Sequence, residues 1–426
     1  MNNGSRNGKR RSRRVVVTGI GVVSCCGVGV HEFWSNVRDG HSGISKIDAF
    51  DVSDLSSKVG GQVRDFDPTD YLSAKDAERL GRFTQLAIAS ARLAVADAGL
   101  ELDREDRYRC GVAFGSSGAG NGNIADEYYG RYFSGGLGAV HPTAIVEVPA
   151  HAAASHVAID LGLKGPSVSA SVGCVTAVAT LSQAALTVSS GDADVVVAGG
   201  TEACLSRFIF GLLCRQRVLT SKNGDPSRAC KPFDAQRDGL VLGEAAGAFI
   251  LESAEHAENR GARVYGEVLG VGMTATAHHM VMSTTDGSEL AEAMRRAMGS
   301  GGISPADIDY ICAHGVGSPQ LDLVETRAIK QALGARSTCI PVSSIKAVSS
   351  QPFAAAGALQ VAATCMAMAE NVVPPTTNLA VRDAECDLDY VPAQARTARI
   401  DTALLNAYSF GGTYASAAVR RYEGLS

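Results

Sequence analysis

Runs of apolar residues bounded by glycine recur along this chain, each short enough for a buried strand. Arg14–Val23 (RVVVTGIGVV) reads as a strand entering a glycine-rich turn, and Arg109–Ser116, Asp192–Gly200 and Ala248–Glu252 repeat the style. Ala77–Ala98 carries helical periodicity. After about Tyr265 the same grammar restarts: strand Val264–Met273, helix Leu290–Met298, strand Ile308–Gly315 ending near His314, and a long Ala-rich helix over Gln351–Asn371. Pro352 is expected in that helix's first turn. Ala403–Gly412 closes as a strand and glycine loop. Strands alternating with helices predict mostly parallel sheets covered on both faces. Two blocks in similar order point to an internal duplication, in pattern rather than identity.

Ser167–Gly191 organises the first block. Val168–Val172 alternates small and branched residues as a buried strand, Gly173 permits a sharp turn, and Cys174 follows. Val175–Ser189 is apolar on nearly every face, as suits a helix inside a large core. A cysteine on a strand–helix turn is expected to have its pKa lowered by the helix N-terminus, with its backbone N–H free for an oxyanion. The plainer alternative is a small buried cysteine.

Composition narrows the class. The 426 residues are 46% hydrophobic and 19% charged, enough for two domains or one double-sized domain. A net charge of −5 gives no global pull toward nucleic acid or an anionic membrane. Eleven cysteines without C-x-x-C spacing suggest neither a disulfide framework nor a zinc or other metal site, and fit reduced thiols in a cytoplasmic protein. No stretch reads as long and apolar enough to span a bilayer. Residues 1–12 read as a disordered basic arm. Gly19-Ile20-Gly21 resembles a dinucleotide turn, but Ser24 stands where the third glycine belongs.

Four strand ends collect polar groups: Cys174, His314, Lys346–Gln351 and Phe410–Thr413. His314 lies close to Gly315 and Gly317, where backbone is tight and open to a ligand. Lys346 sits in an apolar, serine-rich setting where a charge needs a reason; an ordinary ion pair with Glu325 is one.

The segments GPSVSASVGC, DADVVVAGGTE, CKPFDAQRDGLVLGEAAGAFILE, AHGVGSPQLDLVE, SSIKAVSSQPFAAAG and YSFGGT resemble the β-ketoacyl-acyl-carrier-protein synthases, the elongating branch of the thiolase-like superfamily. The resemblance is collinear from about Arg13 to the C-terminus. It implies an α/β class, thiolase-like five-layer α/β/α/β/α fold from two duplicated halves, here 13–264 and 265–426, paired as a homodimer. It implies no bound cofactor, with the substrate carried on the phosphopantetheine of an acyl carrier protein. By position, Cys174 resembles the acylated nucleophile and His314 the histidine that holds the thioester carbonyl. Lys346 and Glu325 resemble the supporting charged pair, and the N–H groups of Cys174 and Phe410 the oxyanion hole, with Phe410 also the gate. Val316, Ser318, Leu213, Gly411 and Thr413 fall at substrate-binding positions, Lys75 and Arg79 (with Glu78 between them) at the carrier-docking cluster. His278 and His279 fall in the segment lining the entrance in relatives.

The departures are equally informative. The family's second histidine is Gln351, preceded by Ser350 instead of glycine, and no histidine follows His314. An amide donates a hydrogen bond but cannot shuttle a proton. The Thr-x-Thr after the first histidine is Val316-Gly317-Ser318, the glycine before the gating phenylalanine is Ser409, and the asparagine after Gly-Gly-Thr is Tyr414. A ketosynthase-like acyltransferase of secondary metabolism follows. Cyclisation of a tethered chain by an aldol or lactonising step stands ahead of decarboxylative condensation with a malonyl thioester. A non-catalytic partner subunit resembling chain-length factors is opposed by Cys174, and a degradative thiolase by the synthase-type motifs.

Overall fold

The computed structural model describes residues 13–425; the basic arm expected at residues 1–12 lies outside them. Ten strands share one hydrogen-bonded path. The first half supplies β1 (Val15–Ser24), β2 (Cys110–Gly115), β3 (Ser167–Val168), β4 (Val195–Glu202) and β5 (Ala245–Ser253). The second supplies β6 (Gly266–Ala275), β7 (Tyr310–Cys312), β8 (Val342–Ser343), β9 (Thr402–Ser409) and β10 (Thr413–Arg420). Their order is β8-β7-β9-β10-β6-β1-β5-β4-β2-β3. Outward from the centre, each half lays down its first, fifth, fourth, second and third strand. The halves join where β1 pairs with β6, Val16 opposite Glu267 and Val17 opposite Gly266.

Strand directions repeat as well. The inner pairs β1–β5, β5–β4, β6–β10 and β10–β9 are antiparallel. The outer pairs β4–β2, β2–β3, β9–β7 and β7–β8 are parallel. The sheet is therefore mixed, which corrects the mostly parallel expectation. Between β9 and β10 the cause is direct: the Phe410–Gly412 turn is far too short for a crossover, so the strands must run antiparallel.

Helices complete five layers. Helices α1 (Arg82–Asp97) and α2 (Ala152–Leu161) cover the outer face of the first half, α4 (Ser288–Ser300) and α5 (Pro319–Leu333) that of the second. Between the half-sheets lie α3 (Thr176–Ser189) and α6 (Ala356–Glu370), each touching strands of both halves and the other. Every residue of α6 from Ala356 to Met368 is buried, as its all-round apolar sequence requires. Phe353–Glu370 does match a membrane span in length and composition, contrary to expectation, but 83% of it is buried in this core.

Several predicted boundaries move. Ala77–Ala98 splits at Leu80-Gly81 into a short helix, Ala74–Arg79, and α1. The strand expected over Val168–Val172 keeps only its first residue and Ser167, because the chain then leaves the sheet to present Cys174. Pro352 precedes a 3₁₀ turn, Phe353–Ala355, rather than occupying the first turn of α6. The Gly19-Ile20-Gly21 motif serves packing: a Cβ at Gly21 would lie 2.0 Å from the Ser90 carbonyl of α1.

One buried ion cluster ties β5 to its neighbours. Burial alone would raise the Glu252 carboxyl, but bonds from Arg260, His256 and Thr18 outweigh it and hold the pKa at about 2. A folded pKa below the unfolded one gives stability that is complete above about 4.3 and lost as pH falls through about 2, worth up to about 3 kcal/mol. Glu252→Gln is expected to lower stability by about that amount at pH 7. Its acid-unfolding curve should then flatten between pH 4 and 2, measured by denaturant titration across pH.

Candidate active site

The sequence Val172-Gly173-Cys174-Val175 folds as a tight turn because Thr176, on the first turn of α3, locks it. The Thr176 hydroxyl donates to the Gly173 carbonyl at 2.7 Å and accepts the Val172 N–H at 2.9 Å. Gly173 adopts φ +58°, and a Cβ there would lie 1.8 Å from Ser409 Oγ. Cys174, 6% exposed, precedes the helix rather than lying within it, since α3 begins at Thr176 with Val175 as its cap. Burial pushes its thiol up to about 11, against the lowering effect of a Gln351 side-chain hydrogen bond and the Lys346 charge. The expected lowering by the helix terminus is thus overridden by desolvation. Nor is its backbone N–H free, because it donates to Ser409 Oγ at 3.3 Å.

His314 follows β7 and is buried with its ring 4.0 Å from that of Tyr408. Its peptide is held from both sides. Glu325 of α5 accepts the His314 and Gly315 N–H groups at 2.9 and 2.8 Å, while the Lys346 ammonium donates to the His314 carbonyl at 2.8 Å. Lys346 and Glu325 therefore meet through the His314 backbone and make no direct ion pair, which corrects the simple pair expected from sequence. Burial, then the Lys346 charge, lower the His314 pKa well below its ordinary value, so the imidazole is neutral. Burial raises Glu325 and lowers Lys346.

Gln351 is fixed by its N–H to the Val241 carbonyl at 2.8 Å, and its side chain reaches the Cys174 thiol. Its Oε1 and the Nδ1 of His314 are both buried without a partner among the described residues. Ser350, just before it, adopts φ +60° and ψ −169°, a region costly for any residue but glycine. The Phe410 turn is completed by Gly412 N–H donating to the Ser409 carbonyl at 3.1 Å.

Cys174, His314, Gln351, Phe410 and Val316 share one narrow cleft. Tyr408, Tyr414, Ser409 and Phe353 complete its walls, and none of its lining residues carries a charge at neutral pH. Other expected residues lie apart from it. Ser318 caps α5 through the Leu321 N–H, Gly411 is exposed, and Thr413 pairs with Ala275 as β10 begins. Leu213 packs in the cluster of Phe210 and Leu219, beside Phe353 rather than in the cleft. Lys75 and Arg79 are exposed on the short helix, one turn apart, without ion pairs among the described residues. His278 and His279 are exposed on the loop before Val281. Among the described residues no cluster of three or more His, Cys, Asp or Glu could hold a metal ion.

Two further groups escaped the sequence reading. Tyr408 reads as an ordinary strand residue until its ring is seen against His314. Glu202, ending an apolar strand, accepts the N–H groups of Ser117 and Gly118 and that of Ala354, just beyond Gln351. Burial pushes it up to about 7. A lone carboxylate closing such a strand was the available signal.

The two half-sheets, the buried cysteine at the front of a central helix and the facing histidine define a thiolase-like condensing-enzyme fold. Comparison makes the family explicit. Residues 12–257 match the β-ketoacyl synthase N-terminal domain and 265–380 its C-terminal domain. A 3-oxoacyl-[acyl-carrier-protein] synthase 2 of Synechocystis is 38% identical over 411 residues, 96% of this chain and 99% of the relative. A ketosynthase of a type II polyketide synthase, solved with its acyl-carrier protein and bound to hexaketide, superposes with TM-score 0.90 at 33% identity, covering 97% of this chain and all of that one. The ishigamide ketosynthase/chain length factor gives 0.89 at 31%, covering 96% and all of that chain. The chain belongs to the β-ketoacyl synthase family, whose enzymes need no bound cofactor and work on acyl chains held by a carrier protein.

Because the Cys174 thiol lies near 11, its alkylation by iodoacetamide is expected to climb roughly tenfold per pH unit from 7 to 10 without a plateau. Mass-spectrometric rates levelling at pH 8–9 would contradict the burial effect. Gln351→Leu removes a bond that lowers the thiol's pKa, so alkylation should fall by roughly tenfold at each pH in that range. Ser350→Gly should stabilise the fold by about 1 kcal/mol by releasing the backbone, read as a rise in Tm.

Proposed function

We propose that this chain is a ketosynthase-type acyltransferase of secondary metabolism in which Cys174 accepts an acyl chain from a carrier-protein thioester, and that the tethered chain then closes on itself without decarboxylation. One observation carries the second half. The cleft around Cys174 contains no cation: its imidazole is neutral, and an amide stands at 351. A malonyl carboxylate entering it would lose its hydration with no positive charge in the wall to replace it. An uncharged polyketone or hydroxyacyl chain meets no such cost.

The residues divide the work as follows. Cys174 attacks the thioester, and its proton leaves through His314, one of whose ring nitrogens always accepts in the neutral form. The N–H of Phe410 and the Gln351 amide donate to oxygens that gain charge. In the second step His314 takes a proton from the carbon beside a carbonyl of the tethered chain. The resulting enolate adds to a second carbonyl of the same chain, and the new alkoxide either regains the proton or displaces Cys174 as a lactone forms. Glu325 and Lys346 position His314 without touching substrate. Phe410 gates the cleft, Val316 lines it, and Leu213, Ser318, Gly411 and Thr413 shape its surroundings.

The exposed pair Lys75 and Arg79 suits an acidic carrier protein bearing phosphopantetheine. Exposed Tyr129, Tyr132 and Phe133, whose rings pack together, with exposed Leu137 and Ile145 further along the same segment, support pairing with a second subunit, a homodimer in our reading. Residues 13–264 and 265–426 are taken as the two halves, and the free thiols fit the cytoplasm. The names of the relatives favour a second reading, conventional condensation with malonyl-carrier protein, Gln351 serving as donor. A chain-length-factor role is opposed by Cys174 lying in the cleft.

Carbon dioxide release from malonyl-carrier protein separates the two reactions. The wild type is expected to release it at least roughly 10²-fold more slowly than Gln351→His, with Cys174→Ala marking whether release needs the nucleophile. Robust release by the wild type would make this a decarboxylating condensing enzyme.

A further inference from the structure

A hydroxyl stands between the Cys174 backbone and the cleft. The Cys174 N–H donates to Ser409 Oγ at 3.3 Å, and Ser409, the last residue of β9, lines the cleft itself. The Ser409 hydroxyl proton has no acceptor among the described residues. The next N–H in the chain, that of Phe410, is likewise without a partner among them. The serine's backbone is committed elsewhere, its carbonyl to the Gly412 N–H and its register to Thr413. Toward α3 its oxygen already fills the space left by the missing side chain of Gly173.

We propose that Ser409 is a catalytic hydroxyl that relays the Cys174 N–H to the acyl oxygen, an assignment that rests on the acyltransferase reading above. The oxygen accepts from Cys174 while its own O–H donates to the carbonyl oxygen of the incoming thioester, beside the Phe410 N–H. A hydroxyl that is accepting one hydrogen bond donates the next more strongly. In the step itself the bond from Cys174 Sγ to the acyl carbon forms and the bond to the carrier's sulfur breaks. The Cys174 proton passes by way of His314 to the departing carrier thiolate. Between these events the negative charge rests on the acyl oxygen, held by Ser409 and Phe410. The peptide N–H of Cys174 thus acts through a side chain instead of touching the substrate.

The test compares two reactions of the same thiol in the full-length protein. Acylation by a hexanoyl thioester of N-acetylcysteamine develops an oxyanion, whereas alkylation by iodoacetamide displaces iodide and develops none. Ser409→Ala should slow acylation roughly 10²-fold and leave alkylation within about twofold. Ser409→Gly, which uncovers the Cys174 N–H, should acylate at an intermediate rate, about tenfold above the alanine variant. Acylation by Ser409→Ala at or above the wild-type rate would overturn the relay and mark the hydroxyl as an obstruction that substrate displaces. Parallel losses in both reactions would overturn it as well, by showing an effect on the thiol or the fold. A wild type that alkylates but takes no acyl group would sink the acyltransferase reading together with the relay, whereas normal acylation unaffected by Ser409→Ala would remove the relay alone.

Discussion

The site depends on a carboxylate and an ammonium that hold one peptide group from opposite sides. Glu325 takes the N–H of His314 and Lys346 takes its carbonyl, and both side chains are almost wholly buried. An isolated charge at that depth would be strongly destabilising. Here each is compensated by hydrogen bonds to backbone or amide: Glu325 by Gly315 and Asn406 as well, Lys346 by Gln360. These contacts come from α5, from the turn after β8, from β9 and from α6. The loop carrying His314 is therefore fixed by four elements of the second half, and its backbone cannot shift without breaking charge-assisted bonds.

That anchoring also sets the electrostatics of the cleft. Burial lowers the imidazole of His314 and raises the thiol of Cys174, and the smaller effect of the Lys346 charge lowers the pKa of both. A neutral imidazole facing a protonated thiol is the resting state that results. In many sites a second imidazole would share such a proton. Gln351 cannot, which leaves His314 as the one imidazole lining the cleft. What the amide offers is a polar group that lowers the thiol's pKa and an oxygen without a partner among the described residues.

Much of this was legible in the chain. The apolar runs located the strands, the all-round apolar segments located α3 and α6, and Cys174, His314 and Lys346 stood out because glycine or serine surrounded reactive groups. What sequence missed has physical causes. The antiparallel inner ladders follow from connections whose length matters more than their composition. The thiol's raised pKa follows from three-dimensional burial, which outweighs a helix terminus that begins two residues later. Likewise, Lys346 and Glu325 looked like partners because both are charged and isolated in sequence. Only the fold places a peptide between them.

Two serines beside the site, Ser350 and Ser409, show how a side chain is accommodated where neighbouring glycines leave room. Ser350 Oγ lies 1.9 Å from where a Cβ of Gly243 would stand and 2.1 Å from one of Gly61. Ser409 Oγ stands in the same relation to Gly173, at 1.8 Å. In each case an oxygen occupies volume that only a missing side chain on a neighbouring strand or turn leaves open. Ser350 spends its hydroxyl locally, on the Ser349 carbonyl, and so constrains the backbone that delivers Gln351. Ser409, lining the cleft, donates its proton to no acceptor among the described residues. Similar packing thus gives one serine a conformational consequence and leaves the other with a hydroxyl turned to the cleft.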